Sequence, residues 1–172
     1  MKYYTVQVKA RGENRYIKLF KAMHKDSPVK IHFPVRNLKI RRQGQMFEDI
    51  RGIFPGYIFL ELDDTANIAD YSWDFRRTEG FFRFLRSNQD IQALQGKDLE
   101  VVLHFIKQLG GISGVSKVQF DENDRIVVAE GPLMGMEGKI IKVDRRKGRA
   151  KIKLDLYDDS FAIDLAFEMI KG

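Results

Sequence analysis

The stretch Arg149-Ala150-Lys151-Ile152-Lys153-Leu154-Asp155-Leu156 alternates without a break between polar and apolar residues, and no other segment limits the fold of this chain so tightly. A period of two sends Ala150, Ile152, Leu154 and Leu156 to one face of a strand and their mostly basic neighbours to water. The residues before it extend the same pattern. Acid-rich Phe120-Asp121-Glu122-Asn123-Asp124 leads into a strand at Arg125-Ile126-Val127-Val128-Ala129, and the turn Glu130-Gly131-Pro132-Leu133 follows. Gly135-Met136-Glu137-Gly138 then opens a further strand from Lys139 to Asp144. Gly131 and Gly138 supply backbone freedom at tight corners, and Pro132 fixes φ between them. Short strands joined by glycine turns predict a small all-β barrel over 118–172.

The first part of the chain has a different texture. A strand is expected at Tyr3–Val8, followed by a helix in which Tyr16, Ile17, Phe20 and Met23 recur at spacings of three and four. Glu13 near its start and Lys21 near its end complement the helix dipole. Ser27-Pro28 breaks the pattern, Val29 to Ile40 reads as a strand, and Arg41-Arg42-Gln43-Gly44-Gln45 is a basic turn. Phe54 to Leu62 is the most apolar strand, ended by Asp63-Asp64-Thr65. A helical stripe of Leu99, Val102, Leu103, Ile106 and Leu109 comes last. At Gly110-Gly111-Ile112-Ser113-Gly114 the composition shifts, which predicts a flexible connection. The expected organisation is an α+β domain over 1–109, in which an antiparallel sheet has flanking helices, a linker at 110–117, and the barrel.

Composition narrows the functional classes. A length of 172 residues with 44% hydrophobic content is enough for packed cores. The formal charge of +6 favours an anionic partner, though 31% charged residues of both signs also suit an ordinary solvated surface. The chain contains no cysteine, so thiolate catalysis, disulfides and cysteine zinc sites are excluded. His24, His32 and His104 lie far apart without ligand spacing and read as surface or packing residues. Neither a phosphate-binding glycine loop nor a nucleophile elbow is present. Asp63-Asp64 and Asp158-Asp159 are neighbours on the chain and read as turn residues. An enzyme is not expected, nor is a cofactor or a metal. The N-terminus lacks an apolar leader, so neither secretion nor a membrane span is expected, and the predicted location is the cytoplasm.

Several segments together carry a resemblance. The 120–167 region, with its glycine turns and alternating strand, resembles a KOW motif. Tyr3-Tyr4-Thr5-Val6-Gln7-Val8, Gly12-Glu13-Asn14, Ile53-Phe54-Pro55-Gly56-Tyr57-Ile58-Phe59-Leu60, and Ser72-Trp73 through Thr78, Gly80 and Phe84 resemble, in order and spacing, the N-terminal domain of NusG-type transcription elongation factors. The resemblance implies binding to RNA polymerase through an apolar patch on the first domain. Tyr57 and Phe59 share one strand face, and with Tyr3, Tyr4 and Phe54 they are the candidate polymerase contacts. Alternatively, each of these aromatics belongs to the core.

Two cationic groups are candidate nucleic-acid contacts. Arg76-Arg77-Thr78-Glu79-Gly80-Phe81-Phe82-Arg83-Phe84-Leu85-Arg86 mixes guanidiniums with aromatics, a combination that grips phosphates and stacks on bases. General NusG factors tend to have asparagine, proline and glycines here, and the family places this region near the non-template DNA strand. Arg76, Arg77, Arg83 and Arg86 are thus the candidate DNA contacts. In the barrel, Lys139, Lys142, Arg145, Arg146, Lys147, Arg149 and Lys151 cluster around an expected hairpin loop, with Lys153 beyond them, and are the candidate contacts for nascent RNA. A solvated basic surface is the alternative for either group.

Near the end, general NusG factors resemble phenylalanine-glycine-arginine followed by small residues and proline, a region used for Rho and ribosomal-protein contacts. This chain has Tyr157-Asp158-Asp159-Ser160-Phe161-Ala162 instead. The departure leaves Rho and ribosomal-protein binding open and points toward a specialised antiterminator of the RfaH and LoaP type, acting as a monomer. General NusG function and a ribosome-associated KOW protein are the other readings.

Overall fold

A computed structural model describes residues 1–170. In chain order the elements are β1 (Lys2–Val8), α1 (Glu13–Met23), β2 (Lys30–His32), β3 (Val35–Arg42), β4 (Gln45–Gly52), β5 (Tyr57–Leu62), α2 (Ser72–Arg76), β6 (Phe81–Phe84) and α3 (Gly96–Ile106). There follow β7 (Ile112–Ser113), β8 (Ser116–Phe120), β9 (Ile126–Glu130), β10 (Ile140–Asp144), β11 (Arg149–Leu156) and β12 (Asp159–Met169). The chain gathers into two compact units, one of Met1–Phe33 with Phe54–Glu100, the other of Pro34–Ile53 with the chain from Val101 onward. The expected fold class, α+β first and then all-β, is the one observed.

The first unit is built on a four-stranded sheet in the order β2-β5-β1-β6. β1 pairs antiparallel with β5, with Tyr4 opposite Leu60 and Thr5 opposite Phe59. Tyr4, Val6, Val8, Ile58, Leu60 and Leu62 therefore share one face, where they pack with Tyr16 and Phe20 of α1 and Phe75 of α2. Phe20 stacks on Phe75 at 4.1 Å, and the Tyr16 hydroxyl donates to the Phe75 carbonyl at 2.7 Å. Burial of that hydroxyl raises its pKa above the ordinary tyrosine value. α1 opens at Glu13, whose buried carboxylate accepts from the Gly56 backbone N–H at 2.9 Å. Helix and strand are thus tied at the turn before β5.

In the second unit, β3 and β4 form a hairpin extended by β7 in the order β4-β3-β7. A five-stranded half-barrel follows, in the order β10-β11-β12-β8-β9. Ala150, Ile152, Leu154 and Leu156 are buried as the alternation predicts. They are joined on the inside by Val118, Val128, Leu133, Ile163, Leu165 and Phe167. Gly131 is required by close approach: a Cβ there would lie 2.6 Å from Ser116 Cα, at φ +104. Ser116 Oγ also accepts from the Leu133 N–H at 2.9 Å, which fixes the corner.

Local departures from the sequence reading have physical causes. The strand expected over 29–40 is two strands, interrupted at Phe33-Pro34, where proline offers no N–H to a ladder. The strand expected from Phe54 begins at Tyr57, because Phe54 to Gly56 makes a turn in which Tyr57 N–H donates to the Phe54 carbonyl at 3.1 Å. Leu109 lies beyond the end of α3 and is 94% exposed, so it is no part of the helical stripe. The glycine-rich segment carries a 3-10 turn at Leu109–Gly111 and then β7, which pairs parallel with β3. Compaction also divides the chain at other places than composition does, since Pro34–Ile53 and most of α3 belong to the unit that contains the half-barrel.

Candidate nucleic-acid interface

The helix α2 is only five residues long, and its exposed side presents Trp73, 58% accessible to solvent. The Arg76 and Arg77 guanidiniums lie 4.8 and 5.6 Å from the Trp73 ring centre, close enough for cation–π attraction. Arg76 is half-buried and its Nη2 donates to the Asn88 carbonyl, while its Nε has no hydrogen-bond partner. Asn88 Oδ1 in turn accepts from the Phe84 N–H at 2.9 Å, so α2 is linked to the loop that follows β6. Arg86 is exposed in that loop, and Phe82 is 61% exposed on β6. Arg83 is set apart: its Nε donates to Gln7 Oε1 at 2.9 Å across the β1–β6 pair. Arg76 and Arg77 thus lie against Trp73, Arg76 also reaches the loop that carries Arg86, and Arg83 is exposed and held to Gln7 on β1. In the sequence Trp73 stands out only as part of the segment that resembles the family, since a five-residue helix shows no period that would mark its exposed side.

The candidate polymerase contacts are placed differently from an exposed patch. Phe54, Tyr57 and Phe59 are buried, with the Phe54 and Phe59 rings edge-to-face at 5.7 Å. Tyr4 is also buried, on the opposite sheet face from Tyr3, because it belongs to the helix-packed core. β5 is covered on both faces, which a uniformly apolar strand permits and alternation alone cannot reveal. Only Tyr3 remains partly accessible. Its hydroxyl donates to Glu61 Oε1 at 2.7 Å, and His32 Nε2 lies 3.4 Å from the same oxygen. Burial and that hydrogen bond push the Tyr3 pKa up to about 12, and the same bond leads the effects that lower the Glu61 carboxyl. For His32, burial lowers the pKa against the opposing pull of Glu61. His104 Nε2 is 2.6 Å from the Pro132 carbonyl oxygen, a packing role.

In the half-barrel the expected hairpin is observed, with Arg145 to Gly148 between β10 and β11. Its register sets Lys142 opposite Lys151 and Asp144 opposite Arg149. β12 brings Asp164 opposite Lys151. Lys142, Lys147, Arg149 and Lys151 thereby line a cleft of about 150 Å³ with Asp144 and Asp164 as the acids. The Asp144 carboxylate accepts the Lys147 N–H at 3.0 Å, which shapes the turn. Arg145 is drawn away: its guanidinium sits 4.0 Å from the Phe120 ring centre and 3.3 Å from Asp124 Oδ1. Lys139 closes a 3-10 turn at Glu137–Lys139 ahead of β10, outside this cleft. Arg146 is exposed. Among the described residues no group of three His, Asp or Glu side chains is placed to hold a metal ion, and no helix is long and apolar enough to cross a membrane.

Comparison with known proteins adds a family to this geometry. A family model described as transcription termination factor nusG matches residues 1–103. The transcription termination/antitermination protein NusG of Buchnera aphidicola is 24% identical over 132 residues, covering 76% of this chain and 70% of that protein. The protein of the same name from Escherichia coli K12 shows the same figures, 24% identity over 132 residues. That of Rickettsia felis is 22% identical over 142 residues, covering 82% of this chain and 71% of its own length. A solved structure describing domain interaction in Thermotoga maritima NusG superposes with a TM-score of 0.52 over 96% of this chain and 93% of that one, at 17% identity, a likeness of fold. With more than half of its length matched by the family model, this chain belongs to the NusG family of transcription termination and antitermination factors.

Proposed function

We propose that this protein acts on the transcription elongation complex as an antitermination factor, binding RNA polymerase and single-stranded DNA through its first unit and nascent RNA through its half-barrel. Membership of the family supports the transcription role, and one observation supports the mode of action: the exposed Trp73 with Arg76 and Arg77 against it and Arg86 on the adjoining loop. An aromatic face bordered by guanidiniums suits unpaired bases and their phosphates, with each stacked base contributing roughly 1–3 kcal/mol. Duplex DNA, whose bases are already stacked, would use the cations alone. The specialised rather than general role is supported by the acids Asp158 and Asp159 at the β11–β12 turn, where general factors resemble an arginine-bearing sequence. The protein is expected to work as a cytoplasmic monomer without catalysis of its own.

Trp73 is the single tryptophan, so its fluorescence reports directly on this surface. Titration with a mixed-sequence single-stranded oligonucleotide should quench it at low salt. The pair Arg77→Glu with Arg86→Glu should weaken that binding about tenfold or more, while Lys18→Glu on α1 should not. Unquenched fluorescence during measurable binding would move the DNA to another surface.

A further inference from the structure

Two hairpins far apart in sequence meet inside the second unit. Arg149 Nη2 donates to the Lys39 carbonyl at 2.7 Å, which fastens the start of β11 to the middle of β3, and β12 also runs against β3. Each hairpin ends in a tight turn bearing cations. On the β3–β4 hairpin Lys39, Arg41 and Arg42 are exposed, and Gln43 (φ 50) and Gly44 (φ 78) make the turn. Beyond it Met46 and Phe47 are 55% and 47% exposed on opposite faces of the hairpin, Met46 on the face of Lys39 and Arg41 and Phe47 on the face of Arg42. Asp49 does not oppose these charges. Burial works against its ionisation, but hydrogen bonds from Arg51 and Arg36 prevail and lower its pKa, so it is committed to them. Glu48, opposite Lys39, is the remaining acid of the hairpin. On the other side of the Arg149–Lys39 junction lies the cleft of Lys142, Lys147, Arg149 and Lys151.

We propose that the two hairpins form one binding surface for a structured RNA, with the duplex stem on the half-barrel cations and an unpaired base against Phe47. This rests on the reading that the half-barrel binds RNA and adds the β3–β4 hairpin to the site. Length argues for an extended ligand: Lys39 lies four positions before Gln43 of the turn, about 13 Å of strand at roughly 3.3 Å per residue. Cations spread over that distance, in addition to those of the cleft, exceed what a free phosphate or a nucleotide can reach. An exposed aromatic at the tip argues for RNA with an unpaired segment, since proteins recognise such bases by stacking while the stem is held by shape and phosphate contacts. A protein partner fits less well, because seven cations surround the junction and an apolar anchor is confined to the tip.

The test uses the full chain with a labelled RNA stem-loop and, separately, the same sequence in a form that cannot pair. Arg41→Glu with Arg42→Glu should lower stem-loop affinity at least tenfold and make the salt dependence shallower by roughly two units of log–log slope, about 0.9 per phosphate contact. Phe47→Ala should lower affinity several-fold with the slope unchanged. Arg146→Glu with Lys147→Glu should also weaken the stem-loop, and the unpaired strand should bind more weakly throughout. Thermal melts confirm that each variant is folded, and Arg42→Gln, which removes one charge without reversing it, should give a proportionate loss of slope. Should the half-barrel pair weaken binding while the β3–β4 variants match the wild type, the added hairpin is wrong and the half-barrel reading stands. Should neither pair change it, both fall. Displacement of RNA by polyglutamate as effective as by unlabelled stem-loop would assign the surface to acidic protein segments and overturn the proposal.

Discussion

Glu13 does more in this fold than favour a helix start. Buried and bonded to the Gly56 N–H, it satisfies a donor that would otherwise lose its hydrogen bond inside the protein. Glu13→Ala should therefore destabilise the protein by about 1–3 kcal/mol in urea titrations, and Glu13→Gln, which keeps an acceptor, by less. Equal losses for the two variants would argue that packing rather than the hydrogen bond matters. The Tyr3–Glu61 pair makes a prediction about pH. Because Glu61 titrates below its ordinary 4.5 when folded, its contribution to stability is complete above 4.5 and disappears as pH falls through the lowered value. Tyr3→Phe removes the largest cause of that lowering. The variant should be about 1 kcal/mol less stable near neutral pH and should converge with the wild type in acid. Tyr3 itself is raised from 10.0 to about 12, so the wild type alone should lose this part of its stability between those values. A difference that persists unchanged at low pH would contradict the assignment.

Among the elements, β11 was the most legible in sequence, because one buried and one solvated face impose a period of two, and the register confirms every inward residue. β4 gave no such signal, since nearly all of its side chains are exposed and nothing selects an alternation. The basic turn at Arg41 to Gln45 was visible, but the hairpin around it was not. Tyr57 and Phe59 show a related limit: sequence places them on one face without saying whether that face is covered. The cations of the β10–β11 loop were readable as a group, whereas the diversion of Arg145 to Phe120 and Asp124 depends on residues about twenty positions away and could not be read. Turns offer the sharpest test of element geometry. Gly131→Ala should cost about 2–4 kcal/mol, combining a left-handed backbone with a Cβ 2.6 Å from Ser116 Cα. Gly44→Ala, where no atom lies within 4 Å of an added Cβ, should cost about 1 kcal/mol in the same thermal melts. Similar melting points for the two would show that the Gly131 corner relaxes.

Taken as a whole, the molecule joins a sheet-and-helix unit bearing an aromatic–guanidinium platform to a unit whose half-barrel bears a basic hairpin cleft. Membership of the NusG family places both in transcription, and the proposed division of labour assigns DNA to the first and RNA to the second. The proposed effect on transcription works through binding. The most direct measurement is transcription by purified bacterial RNA polymerase across a pause site and an intrinsic terminator, with and without the full-length protein. Wild-type protein should shorten the pause and raise readthrough, and Arg77→Glu with Arg86→Glu should abolish most of that effect while the protein still co-sediments with the polymerase. Unchanged pausing and readthrough at saturating concentrations of folded wild-type protein would contradict the proposed function.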